Sequence, residues 1–144
     1  MIVNEIKEAI GIFLRTQSKK REVIEFLKEL NDLLEKDDFD IDTDLMLIRK
    51  KKMDDEEHST PYTLLDLDYD TWDIVDRLKE LTVEEYSETK IDKDDWDPPL
   101  LFVFGKDINK KLVYIKLKIK GNQKKRILCV SFHYAKEKMM FPYA

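Results

Sequence analysis

Glycine, proline and cysteine are all scarce in this chain of 144 residues, at three, four and one. With so little glycine there is no Gly-rich loop to cradle a phosphate, and neither zinc-ligand spacing nor a nucleophile elbow occurs. The lone cysteine, Cys129, permits no intramolecular disulfide and makes the cytosol the natural compartment. It stands in an apolar run, which marks it as a core residue rather than a nucleophile. No apolar run reaches ~18 residues, so no transmembrane helix is expected. The N-terminus, M-I-V-N-E-I-K-E, is amphipathic and acidic and lacks the arrangement of a signal peptide. Internal repeats and low-complexity tracts are also absent.

What the chain has is charge. Charged residues make up 40% and hydrophobic residues 42% of a length that suits one domain, residues 1–144. The net charge of −5 hides an asymmetry. Between Lys106 and Lys138 stand eleven basic and two acidic residues, whereas the chain before Lys106 is strongly acidic. A basic block inside an acidic protein suggests a surface that faces a polyanion. Lysine on wet sheet faces and edges, where it discourages aggregation, is the plainer account of the same block.

The first 69 residues read as helical and acidic. Ile2, Ile6, Ile10, Phe13 and Leu14 follow helical spacing over residues 2–15. A second helix is expected from Lys19 to Lys36, with Ser18 as its N-cap and Val23, Phe26, Leu27, Leu30, Leu33 and Leu34 as its apolar stripe. Asp37–Asp44 is an acidic link without the glycine and bidentate glutamate of a calcium loop. Leu45–Arg49 suggests a short strand, and Arg49–Glu57 an exposed run that reverses sign, with a solvated His58 beside it. Thr60-Pro61 reads as a breaker before a short strand or extended segment at Tyr62–Leu67. Asp70 with Asp73 predicts the start of a third helix, with Trp72, Ile74, Val75, Leu78 and Leu81 towards the core. Thr82 with Glu85 is a capping-box pattern for a short fourth helix ending near Ser87. Pro98-Pro99 then stops any helix and launches a sheet.

Three apolar, β-branched and aromatic runs fill Leu100–Tyr143, separated by two polar turns, as in a three-stranded meander. In the middle run Val113, Ile115, Leu117 and Ile119 alternate with Leu112, Tyr114, Lys116, Lys118 and Lys120. Period two gives one buried and one wet face. In the third run Leu128, Val130 and Phe132 are expected inside, with Ile127, Cys129, Ser131 and His133 opposite. Because a one-residue slip swaps faces, two registers are reasonable. One sets Tyr114 against His133 and Lys116 against Ser131; the other is shifted by two. Both gather Tyr114, Lys116, Ser131 and His133 on the solvated face. The uncharged end, Met139–Tyr143, is expected to close on the core rather than to form a bare docking patch. Helices first and strands last predict an α+β fold, with N-terminal helices packed on a C-terminal antiparallel sheet.

The Tyr–Lys–His cluster suits metal-free RNA cleavage. There the 2′-hydroxyl attacks the adjacent phosphorus, a base removes its proton, an acid protonates the departing 5′-oxygen and cations stabilise the phosphoryl oxygens. Histidine has the side chain whose ordinary pKa lies nearest neutrality. Acidic residues are not interleaved with the strand pair, which disfavours a two-metal nuclease, and no cofactor is expected. Tyr114 and His133 are equally well ordinary residues of an amphipathic sheet.

The segments L-T-V-E-E-Y-S-E-T, F-V-F-G-K-D-I, V-Y-I-K-L-K-I and I-L-C-V-S-F-H-Y-A resemble the MqsR family of type II toxin–antitoxin toxins, which are RelE-like mRNA interferases. The resemblance covers Asp70–Tyr143, within a part spanning residues 70–144. It implies a RelE-like fold, an endoribonuclease acting on mRNA, free or on the ribosome, and a cognate antitoxin as partner. The family's catalytic tyrosine falls on Tyr114 and its C-terminal-strand lysine on His133. Its catalytic glutamine falls near Gly105-Lys106, which makes Lys106 a candidate. Lys116 joins the catalytic set, and Lys118, Lys120, Lys136 and Lys138 extend a phosphate track. A family lysine falls on Glu88, a departure that suits the alternative: a non-catalytic interaction module, or an RNA-binding protein, on the same fold.

Overall fold

Alternation along Lys111–Lys120 builds the centre of the sheet in a computed structural model that describes residues 15–50 and 52–144. The strands are β1 (Arg15–Thr16), β2 (Leu45–Leu47), β3 (Tyr86–Ile91), β4 (Leu100–Ile108), β5 (Lys111–Lys120) and β6 (Arg126–Tyr134). They form one sheet in the order β1-β3-β4-β5-β6-β2. The expected meander is β4-β5-β6. Asn109 and Lys110 join β4 to β5 with φ of 51° and 68°, the two left-handed residues of a type I′ hairpin whose twist matches the strands.

One sheet expectation and one helix expectation need correction here. The sheet is mixed rather than antiparallel, because β2 runs parallel to β6. The expected fourth helix is only a 3₁₀ turn, Val83–Glu85, although Glu85 Oε1 does accept from the Thr82 amide at 3.0 Å. The chain continues as β3, whose alternation is disguised by a bulge between Tyr86 and Glu88. The bulge puts Tyr86 and Thr89, three residues apart, among the buried positions of the same strand.

The helices are α1 (Lys20–Leu34), α2 (Ile41–Asp44), α3 (Thr60–Leu67) and α4 (Thr71–Lys79). The predicted stripe of α1 is buried from Val23 to Leu34, and Phe26 stacks on Phe102 of β4 at 4.2 Å between ring centroids. Its N-cap is Lys19 rather than Ser18, because the Ser18 hydroxyl is engaged with Thr89 Oγ1 at 2.6 Å. Asp70 caps α4 as predicted, accepting from the Asp73 amide at 2.9 Å. The segment Tyr62–Leu67, expected to be extended, is helical. Pro61 stands in the first turn, where its missing N–H is no loss, and Ser59 Oγ accepts from the Tyr62 amide. The helix expected over residues 2–15 falls outside the described residues, except for Arg15, which pairs with Lys90.

α3 also seals the edge that the short β2 leaves open. Thr60 Oγ1 and Thr63 Oγ1 accept from the backbone amides of Phe132 and Tyr134 at 3.1 and 3.0 Å. Buried side chains of α1, α3, α4 and the sheet form one apolar cluster. Helices thus cover one face of an α+β sheet and leave the other to loops and the C-terminal tail. Among the described residues no helix is long and apolar enough to cross a membrane.

Candidate functional site

The register of β5 with β6 sets Tyr114 opposite His133 and Lys116 opposite Ser131, on the face away from the helices. The two rings stack, 5.1 Å apart at their centroids and 13° from parallel. They do so despite a misreading of β6. A register shift between Lys116 and Leu117 moves Cys129 opposite Leu117 and Ile127 opposite Ile119. Ile127 and Cys129 are therefore buried, and Leu128 and Val130 lie half exposed, the reverse of the expectation from strict alternation. Beyond the shift the expected faces hold: Phe132 is in the core and His133 outside it.

β4 adds Gly105, opposite Tyr114. A side chain here would collide with the tail, since a Cβ would lie 2.8 Å from the Phe141 ring and 2.9 Å from Met139 Sδ. The tail therefore lies flat across this face. It ends with Tyr143 stacked on Tyr86 at 5.7 Å and donating to the Ser18 carbonyl. The uncharged end closes on the body of the protein as expected, without forming a strand, and leaves Met140 exposed.

Between the tail and the segment after β2 lies a cleft of about 700 Å3. Its floor holds Tyr114, Lys116, Ser131 and His133, and Lys90 enters from β3. Lys50, Lys52, Lys136 and Lys138 also line it, and among the described residues Glu88, Asp94 and Glu137 are its acids. Among the described residues that line it, lysines outnumber acids two to one. Lys90 Nζ is 3.6 Å from Glu88 and 5.6 Å from the centre of the Tyr114 ring. Lys136 pairs with Asp55 at 2.9 Å, and that aspartate, which also holds His58 Nδ1 at 2.6 Å, is driven down to about 2.

Burial first, and like charges after it, set the acid–base properties of the floor. Burial, and then the neighbouring Lys90, pull the Lys116 pKa down. Burial first, with Lys52 and Lys116 adding, pushes His133 down to about 4, against a bond to the Tyr134 carbonyl that favours the charged form. That carbonyl can only accept, so His133 Nδ1, 2.9 Å away, carries the hydrogen. Neutral His133 therefore presents Nε2 as an unprotonated acceptor.

The sequence-predicted residues divide into two groups. The cleft gathers Tyr114, His133, Lys116, Lys136 and Lys138. Lys106, Lys118 and Lys120 are elsewhere. Lys106 pairs with Val113 in register and turns to the helix side, where its Nζ lies 3.2 Å from Glu85 and 3.9 Å from Glu80. Lys118 is buried, donating to Asp92 Oδ2 at 2.6 Å and to the carbonyls of Asp95 and Pro98 at 3.2 and 3.1 Å. Lys120 pairs with Asp95. The acidic loop after β3 thus neutralises the far end of the lysine stripe. Lys50, Lys52 and Lys90 are the cleft cations that sequence reasoning missed. Lys90 stands in the unrecognised β3, and the other two in a run read as solvated.

Cys129 is wholly buried, and burial pushes its thiol up to about 12, so it is no nucleophile. Among the described residues no group of three or more His, Cys, Asp or Glu side chains could hold a metal ion. Fold and site together define an α+β protein with a lysine-lined cleft floored by a stacked Tyr–His pair. No family model matches this chain, and no curated protein or solved structure is significantly similar to it.

Proposed function

We propose that this chain is a metal-independent endoribonuclease of the RelE-like, MqsR type, acting on mRNA in the cytoplasm, free or ribosome-bound, and neutralised by a partner antitoxin. The observation that carries the reading is the stacked Tyr114–His133 pair on the floor of a cleft with six lysines. A cleft that concentrates positive charge favours a phosphodiester, and an aromatic floor favours a base beside it. His133 begins in the role of base: Nε2 takes the 2′-hydroxyl proton as the 2′-oxygen attacks phosphorus. The bond to the 5′-oxygen breaks, and that oxygen receives a proton from Lys116, whose depressed pKa makes it a stronger acid than an exposed lysine. Lys90 and Lys52 stabilise the phosphoryl oxygens, and Tyr114 holds the His133 ring and supports the base. The products are a 2′,3′-cyclic phosphate and a 5′-hydroxyl.

A bound phosphate also corrects the weakness of the free base. An anion beside His133 favours imidazolium, so substrate raises its pKa towards the range where proton transfer is efficient. A second reading, RNA binding without cleavage, is favoured by the low pKa of His133 and by Glu88, which stands in the cleft where the family has a lysine. Incubation of purified protein with labelled single-stranded RNA in EDTA, with and without ribosomes, decides between them. The expected result is cyclic-phosphate ends that vanish in His133→Ala. Cleavage surviving in that variant would end the role given to His133. Binding by the wild type without cleavage under either condition would leave the binding module.

A further inference from the structure

The cleft does not end at the tail. A second cavity of about 480 Å3 opens beyond it, lined by Tyr62, Tyr134, Lys111 and His58. Residues 135–138 line both cavities, so this short strap is their common wall. Its three charged side chains, Lys136, Glu137 and Lys138, are exposed. A chain leaving the floor at His133 therefore meets Lys136 and Lys138 before it reaches the second cavity. There the chemistry repeats. Tyr62 and Tyr134 stand edge to face at 6.5 Å, and Lys111 Nζ lies 4.7 Å over the Tyr134 ring. Lysines outnumber the carboxylates lining the cavity, Glu57 and Glu137. Asp66, 3.9 Å from Lys111 Nζ and bonded to the Tyr134 hydroxyl at 2.5 Å, steadies both without lining the cavity.

Aromatic faces beside cations, repeated along a groove, are the usual platform for a single nucleic-acid strand. Resting on the reading of the cleft as an RNA site, we propose that the Tyr62–Lys111 cavity is a second nucleotide subsite, holding a base against Tyr62 and its phosphate between Lys111 and Lys138. The strap then serves as the ridge over which the strand passes from one subsite to the next. The site takes a single strand, because a duplex has its bases stacked inside and offers none to Tyr62.

The test uses 2′-O-methyl oligonucleotides, which cannot be cleaved by 2′-hydroxyl attack, at lengths from two to eight nucleotides. Dissociation constants are measured for the wild type, Lys111→Ala, Tyr62→Leu and Lys116→Ala. Lys111 is exposed, so its removal leaves the fold intact; Tyr62→Leu keeps apolar volume against Tyr134. Wild-type affinity is expected to climb with length beyond the dinucleotide. Lys111→Ala and Tyr62→Leu each remove roughly tenfold from the longer strands and leave the dinucleotide unchanged. Lys116→Ala weakens every length alike. A length gain that persists in both subsite variants overturns the second subsite and leaves the cleft reading standing. Failure of the wild type to bind any length overturns both.

Discussion

Tyr114 and His133 face each other across a non-terminal pair of β5 and β6, with their rings 5.1 Å apart, the third residue pair beyond the point where a bulge re-registers the two strands. The bulge matters because it decides the outward face. Without it, the continuation from Ile127 and Cys129 would send His133 into the core and Phe132 into the cleft. The stacked pair is therefore a product of an irregularity in β6 as much as of its alternation.

The depression of His133 to about 4 has a signed consequence for stability. Between about 4 and the ordinary value of 6.5, the unfolded chain binds a proton at this position that the folded protein refuses. Stability from this group is complete above 6.5 and declines as pH falls towards 4. Asp55 and Asp95, both lowered to about 2, add their own losses only below 3.8. Urea midpoints measured from pH 7 to pH 4.5 should fall less in His133→Asn than in the wild type. Equal slopes would show that burial does not hold this imidazole neutral.

RNA binding reverses that preference. An anion over His133 raises its pKa, so binding and proton uptake are linked and affinity rises as pH falls from 7 towards 5. For uncleavable oligonucleotides, the wild type should bind several-fold tighter at pH 5.5 than at pH 7.5. His133→Ala should lose much of that ratio while retaining binding at pH 7.5. Parallel pH profiles for the two proteins would separate the anion site from His133.

Much of this was legible in the sequence, for identifiable reasons. The α1 stripe, the Asp70 cap and the β5 alternation are local patterns, and each appears where its period demands. The pairing of Tyr114 with His133 was one of two registers allowed by burial alone. The misreadings share a physical cause, which is that local signals were outweighed by contacts remote in sequence. Pro61 reads as a breaker until it is seen to start a helix whose Thr60 and Thr63 bond to β6. Lys118 reads as a wet-face lysine until the loop carrying Asp92 folds over it. Gly105 gave no hint of the tail that rests on it.

Lys118 is the clearest case of a lysine that stabilises the fold rather than a ligand. Its ammonium group is buried, donates to three oxygens and lies 3.3 Å from a fourth, Asp95 Oδ2. Lys118→Met keeps the length of the stem but leaves Asp92 charged and unpaired in a largely buried setting. Removing one member of such a pair costs about 3–5 kcal/mol. Denaturant unfolding should register a loss of that order. The salt dependence of RNA binding by the folded fraction should be unchanged, and a changed slope would return Lys118 to the phosphate track.

Lys110 offers a gain. It holds a left-handed conformation, φ 68°, in the β4–β5 turn, where an L side chain other than Asn or Asp is disfavoured. Lys110→Gly should stabilise the protein by about 0.5–1 kcal/mol, seen as a raised urea midpoint with an unchanged slope. A fall in the midpoint would mean that the lysine side chain contributes more than its backbone conformation costs.

The cleft lysines make separate predictions from the lysines that only share their strand. For a single strand, removing the cation that neutralises one phosphate should reduce the slope of log affinity against log salt by about 0.7. Lys90→Ala and Lys116→Ala should each show that reduction. Lys106→Ala, whose ammonium group lies against Glu85 and Glu80 on the helix side, should show none. Lys120→Ala should also leave the slope intact, because Lys120 lies outside the cleft, paired with Asp95. Titrations between about 50 and 200 mM salt would measure all four slopes. If Lys106 and Lys120 change the slope as much as Lys90 and Lys116, binding is spread over the whole basic block. If only the latter pair does, the strand lies in the cleft between the tail and the segment after β2.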